Sequence, residues 1–338
     1  MSIEVILDNK KWQGLLQERG EALKNCQFPA DRQIKIYGTR ELVTVEMSLA
    51  GIAGNMQSDA AAFEAWTLAL LVHCGVNTVN FRLKDDVAIP AAGDKEYRHF
   101  QRFLYRMHRF QELFAEIEID PALRGGGAAL KLGADRKLNQ PSPVSNRGMS
   151  GAFLDNFFGA SESDLEKAIE RSPAFRRRFD LKKVMRQWPI GLFDQKVAKR
   201  NYIFTGGKSA IDLIGVRGDT LYLFELKKRG NRKAGAISEL FFYASVMRDA
   251  LEEEALFKFE PQHPTTNFSI SAVDIRKCRS IVAVLLAPDF HPLISEHKII
   301  ARLNKASAEQ WLNKPVRFEA IQLRLPEQGG DFSFSSAH

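Results

Sequence analysis

Two carboxylates and an ammonium stand where apolar side chains are expected. The run Leu221-Tyr222-Leu223-Phe224-Glu225-Leu226-Lys227 reads as a buried strand interrupted by Glu225 and Lys227. Ala210-Ile211-Asp212-Leu213-Ile214-Gly215-Val216 carries Asp212 in the same way. Charged side chains rarely sit among apolar neighbours without a partner or a task. Residues two apart in a strand share a face, about 6.6 Å apart, so Glu225 and Lys227 point the same way. Arg217-Gly218-Asp219 is a turn signal, and the hairpin it closes lays the two strands side by side. Asp212 and Glu225 can then converge on one cation. Mg²⁺, or Mn²⁺ in its place, takes hard oxygen ligands and is usually held by one or two carboxylates, with water and substrate phosphate completing the shell. Lys227 beside that ion can position an attacking water or hold the negative charge that develops around phosphorus.

Other chemical signals are weaker. Gly206-Gly207-Lys208-Ser209 ends like a P-loop, but Tyr202 stands where the first glycine belongs and a strand follows in place of a helix. ATP binding is not expected there, although Lys208 can reach a phosphate. The seven histidines form no His-x3-His pair, and Cys26, Cys74 and Cys278 are scattered. Neither a zinc site nor a disulfide framework is expected, and a reducing cytoplasm fits.

The elements that must position these residues follow from periodicity. Residues 1–120 read as an α+β unit with strands at RQIKIYG, ELVTVEMSL and NTVNFRL. AAFEAWTLALLVHCG reads as a helix stopped by Gly75. DKEYRHFQRFLYRMHRFQELF is an amphipathic helix with Arg98, Arg102, Arg106 and Arg109 on a face expected to be solvated, contact with a phosphate backbone being the alternative. Residues 121–150, with Gly125–Gly127, Pro141 and Pro143, read as a linker or long loop. Beyond them a helix over 162–178 is expected, then strands NYIFT, SAIDLIGV and TLYLFEL. The helix AGAISELFFYASVMRDALEEEA comes next, then the strand SIVAVLLA, the helix LISEHKIIARLN and the strand VRFEAIQLRL. This αβββαβ order, prolonged by a further helix and strand, implies a mixed sheet flanked by helices over 151–325, with 326–338 as a tail.

Asp212, twelve intervening residues, then Glu225-Leu226-Lys227 resembles the motif of the PD-(D/E)xK nuclease superfamily. ESDLEKAIERSP, 162–173, looks like the opening helix of the NucS-like branches, and ISELFFY, 237–243, looks like the Gln-x-x-x-Tyr helix of RecB-like nucleases with Glu239 in place of Gln. The resemblance spans about 160–325 and does not reach residues 1–150. It implies an α/β, restriction-endonuclease-like C-terminal core beside a separate N-terminal α+β domain. It also implies a Mg²⁺-dependent phosphodiester hydrolase with Asp212, Glu225 and Lys227 as catalytic residues. Glu162, or else Glu166, would be a third metal ligand, and Glu239 and Tyr243 substrate contacts. Ile211 replaces the family's proline, and a carboxylate at 239 cannot donate a hydrogen bond as the amide does.

Charge suits that substrate. The chain of 338 residues carries +7 overall, and residues 171–200 alone hold ten Lys and Arg against two Asp, a local +8. This stretch is either a solvated surface or a phosphate-contacting one. Arg176, Arg177 and Lys228 are candidate substrate contacts alongside Lys208. A DNA nuclease of restriction, repair or anti-phage defence is the leading expectation. The alternatives are a non-catalytic nucleic-acid-binding or assembly module on the same fold, and an RNA-directed nuclease. No secretory signal or membrane span is read, so a cytoplasmic protein, possibly a homodimer, is expected.

Overall fold

The computed structural model describes residues 5–336 apart from 86, 125–129, 131, 134, 142–160, 205–208, 253–255, 262–268 and 327–330. Lys208 and much of the 121–150 stretch therefore lie outside the described residues. The chain divides into two compact units, and neither is contiguous. The first takes Met1–Lys131, Arg232–Phe242 and His291–Gln310; the second takes Leu132–Asn231, Tyr243–Phe290 and Trp311–His338. One boundary falls inside the Gly- and Pro-rich stretch. The later returns leave no trace in composition.

In chain order the first 131 residues form helix α1 (Asn9–Gln17), strands β1 (Ile34–Gly38) and β2 (Leu42–Met47), helices α2 (Leu49–Ala53) and α3 (Phe63–Ala69), strand β3 (Thr78–Leu83), helix α4 (Lys95–Leu113) and strand β4 (Ile117–Ile119). The strands make one sheet in the order β1-β2-β3-β4. The β1–β2 pair is antiparallel and the others are parallel. α3 continues into a π-helical turn, Leu70–Cys74, that ends at Gly75 with φ 68°. A left-handed residue after the last turn is a helix stop for which glycine has no steric penalty.

Of the arginine face of α4 only Arg98 is exposed. Arg102, Arg106 and Arg109 are buried. Arg106 Nε donates to Glu64 Oε1 at 2.8 Å, and the Ser238 hydroxyl donates to Glu64 Oε2 at 2.6 Å. Arg102 donates to the Gly54 carbonyl at 2.8 Å. Periodicity separates the two faces of a helix but does not say what covers the polar one. Here α2 and α10 (Lys298–Gln310) lie against α4, so its cations require buried partners.

The remaining strands run β5 (Arg136–Leu138), β6 (Lys183–Pro189), β7 (Leu192–Asp194), β8 (Tyr202–Phe204), β9 (Ala210–Arg217), β10 (Thr220–Leu226), β11 (Phe257–Phe259), β12 (Ser280–Ala287), β13 (Val316–Arg324) and β14 (Ser333–Ser336). Helices α5 (Glu162–Arg171) and α6 (Pro173–Phe179) precede β6, α7 (Gly235–Leu251) follows β10, α8 (Ala272–Arg276) precedes β12, and α9 (Pro292–Ser295) leads into α10.

The second unit is α/β. Its main sheet is mixed and six-stranded, in the order β14-β13-β12-β10-β9-β6. Phe175, Phe179 and Ile169 from α5 and α6 pack on one face of it with Leu213, Tyr222, Phe224, Leu226 and Val284. A smaller sheet has the order β11-β5-β7-β8.

Several expectations are corrected here. The strand before β9 in the main sheet is β6, within the basic stretch, whereas NYIFT supplies β8 of the small sheet. The helix over 162–178 is two helices: Pro173 cannot continue α5, and Ser172 Oγ accepts from Phe175 N at 3.1 Å to cap α6. The helix at LISEHKIIARLN also breaks, at His297 with φ 55°. The 326–338 tail contains β14, antiparallel to β13. Among the described residues no helix is long and apolar enough to cross a membrane.

Candidate active site

β9 and β10 begin as the expected hairpin. Gly218 takes φ 58° at the turn, and the ladder runs from Thr220↔Arg217 to Phe224↔Leu213. There it stops. β9 continues alongside β6 as far as Ala210↔Pro189, and β10 continues alongside β12 as far as Leu226↔Leu286. The sheet therefore forks between β9 and β10. The next register position on each side of the fork is Asp212 and Glu225.

The fork frees backbone donors that a continuous ladder would use, and buried N–H groups need acceptors. Asp212 Oδ2 supplies one, accepting from Leu226 N at 2.7 Å. Lys227 N donates to Leu286 O at 2.8 Å and so extends the β10–β12 ladder. Asp212 thus bridges the opening, half-buried. Glu225 and Lys227 share the strand face opposite to Phe224 and Leu226, each 2% exposed. The Lys227 ammonium donates to Glu225 Oε1. Alternation places both on the side of the sheet away from α5 and α6.

The acids of α5 each find a polar partner. Glu162 Oε1 accepts from Asn231 Nδ2 at 3.1 Å, Glu166 Oε2 from Gln187 Nε2 at 2.7 Å, and Glu170 Oε2 from Arg186 Nε at 2.8 Å. Glu166 is buried, and burial raises its pKa above the ordinary carboxylate value. The neighbouring Glu162 charge raises it further, while Gln187 and Arg186 oppose the rise. Gln187 has φ 55° and sits between the pairs Arg186↔Leu213 and Trp188↔Ile211, hence across from Asp212. A left-handed non-glycine residue inside a strand is uncommon and concentrates at functional sites. Gln187 and Asn231 were not singled out from sequence. The only sequence signal for Gln187 is its place in RQWPIGLFDQK, the stretch that periodicity does not resolve.

The residues fit a hard divalent cation in one respect: two oxygen-donor carboxylates stand at opposed positions beside an ammonium, which is enough when water and phosphate complete the shell. Among the described residues a third acid is not brought in. Among the described residues no three His, Cys, Asp or Glu side chains are arranged to hold a metal, and Glu162 and Glu166 are engaged on the α5 side.

Glu239, buried in the first unit, accepts from Gln57 Nε2 at 3.2 Å. Tyr243 is buried. Lys228 is exposed just past β10. Arg176 donates to the Glu170 and Lys182 carbonyls at 3.2 and 3.3 Å, and Arg177 lies 3.8 Å from Asp331.

No protein-family model, curated protein or solved structure matches this chain.

Proposed function

We propose that the chain is a divalent-metal-dependent nuclease that hydrolyses phosphodiester bonds of DNA, on a restriction-endonuclease-like core whose strands lie in the second unit. What carries this reading is the placement of Asp212 and Glu225 at opposed positions where the sheet forks, with Lys227 against Glu225. The strand order supports it: a helix pair, three antiparallel strands, a helix and a parallel strand occur in the order that the resemblance implies. Asp212 and Glu225 would hold Mg²⁺ or Mn²⁺. The ion supplies Lewis acidity and a water of lowered pKa. Lys227 shares its ammonium between Glu225 and the scissile phosphate and stabilises the charge that develops on the phosphoryl oxygens.

Labelled duplex DNA, single-stranded DNA and RNA are incubated with the full chain and Mg²⁺, Mn²⁺ or EDTA. Metal-dependent cleavage of DNA that Glu225→Gln abolishes is expected. Cleavage of RNA alone moves the substrate to RNA. A second reading draws on the contact between Glu225 and Lys227 and the missing third acid, namely a nucleic-acid-binding module without catalysis. Binding with no cleavage under either metal selects it.

A further inference from the structure

The ten cations between residues 171 and 200 are not equivalent. Arg176 is taken up by backbone carbonyls, Arg186 by Glu170 at 2.8 Å, Lys183 by Asp274 at 3.4 Å and Arg177 by Asp331 at 3.8 Å. Arg178 lies over the Phe179 ring at 5.3 Å. Among the described residues Lys196, Lys199 and Arg200, like the isolated Lys182, lack such partners, and these three fall together. All three are exposed and have no carboxylate partner among the described residues. The nearest acid in sequence, Asp194, is engaged by Arg136.

These three cations share one short connector between two antiparallel strands, β7 and β8. The connector is tied to itself. Lys196 N donates to Asp194 O at 2.6 Å, Asn201 N to Ala198 O at 2.8 Å, and Asn201 Nδ2 to Lys196 O at 3.0 Å. Phe193 and Tyr202 close its base, ring centroids 4.6 Å apart. Three unneutralised cations on a braced hairpin tip repel one another, and fixed cations at such a tip fit a regular array of phosphates. The apolar residues of the connector, Val197 and Ala198, are half-buried and small. A lipid-binding tip would present large exposed apolar or aromatic side chains.

We propose that the β7–β8 hairpin, through Lys196, Lys199 and Arg200, docks duplex DNA by its phosphates. The choice of DNA rests on the nuclease reading above, but the test does not. Binding of a labelled duplex to the full chain is measured in EDTA across a salt series. Each lost phosphate contact removes about 0.9 from the slope of log K against log salt, so Lys196→Gln/Lys199→Gln/Arg200→Gln is expected to lose about 2.7. If the triple variant does not fold, each single substitution is expected to lose about 0.9. An unchanged slope overturns the proposal. So does loss of binding to phosphatidylserine vesicles with duplex binding intact, which would make the tip a membrane contact. A hairpin-dependent slope in a wild-type chain that cleaves nothing sinks the nuclease reading alone. Cleavage with an unchanged slope sinks the docking proposal alone.

Discussion

A buried lysine beside a buried glutamate can be support or machinery, and Lys227→Ala distinguishes them. The change leaves Glu225 as an uncompensated buried charge, a cost of about 3–5 kcal/mol. In a metal site, Mn²⁺ neutralises that charge, so the lost melting temperature is expected to return when Mn²⁺ is added. A purely structural pair gives the same loss with no recovery. Cleavage by the metal-restored variant is expected to be about 10²–10³ slower than wild type, the usual effect of removing one preorganised charge contact. Glu166 makes a separate prediction. Its folded pKa is raised above the unfolded value of 4.5, so the native state binds the extra proton. Stability from this group is therefore greatest at low pH and falls as pH rises from about the unfolded pKa through the folded one. Glu166→Gln keeps the shape and removes that decline. Thermal melts of both proteins across the acid range check it, and parallel curves would rule out a raised pKa at this residue.

Elements were legible where a local signal is strong. The β9–β10 hairpin follows from Gly218, and β12 from seven consecutive apolar residues after Ser280. Asp212 and Glu225 were legible for the same reason: a lone charge stands out in an apolar run. Gln187 and Asn231 were not, because a polar residue among polar neighbours gives no contrast. β6 was missed because Arg186 and the left-handed Gln187 break its alternation. α5 and α6 were merged because helical spacing runs through Pro173. The arginine face of α4 was misjudged because a helix does not encode its cover. That face yields its own prediction. Arg106→Met removes the guanidinium from Glu64, which is fully buried. A loss of about 3–5 kcal/mol is expected in denaturant unfolding, whereas an exposed arginine pair is worth at most about 1 kcal/mol. A shift of that smaller size would mean that the α4 face is solvated after all.

At the scale of the whole molecule, the first unit is assembled from three separate stretches of chain. Phe241 and Phe242 pack edge-on to Phe110 and Tyr105, at 5.6 and 5.9 Å between ring centroids. Asp59 Oδ1 accepts from Ala234 N at 2.8 Å, at the start of α7. A fragment of residues 1–131 keeps all four strands of its sheet but lacks these contacts and α10. It is expected to melt without a cooperative transition in circular dichroism. A sharp two-state melt would show that the later segments only decorate a self-sufficient domain.

The same interleaving sets a timetable for birth on the ribosome. Translation at roughly 5–20 residues per second separates residue 131 from residue 310 by about 10 to 40 s. Through that interval the nascent sheet β1–β4 has been made, but the helix that covers α4 has not. Phe110, Tyr105 and the Glu64–Arg106 pair wait beside water or a chaperone. The strand at β13 is later still, and the main sheet of the second unit closes only after it. The first unit is complete in sequence only at Gln310 and the second only beyond it, so emergence of residues 1–131 completes neither.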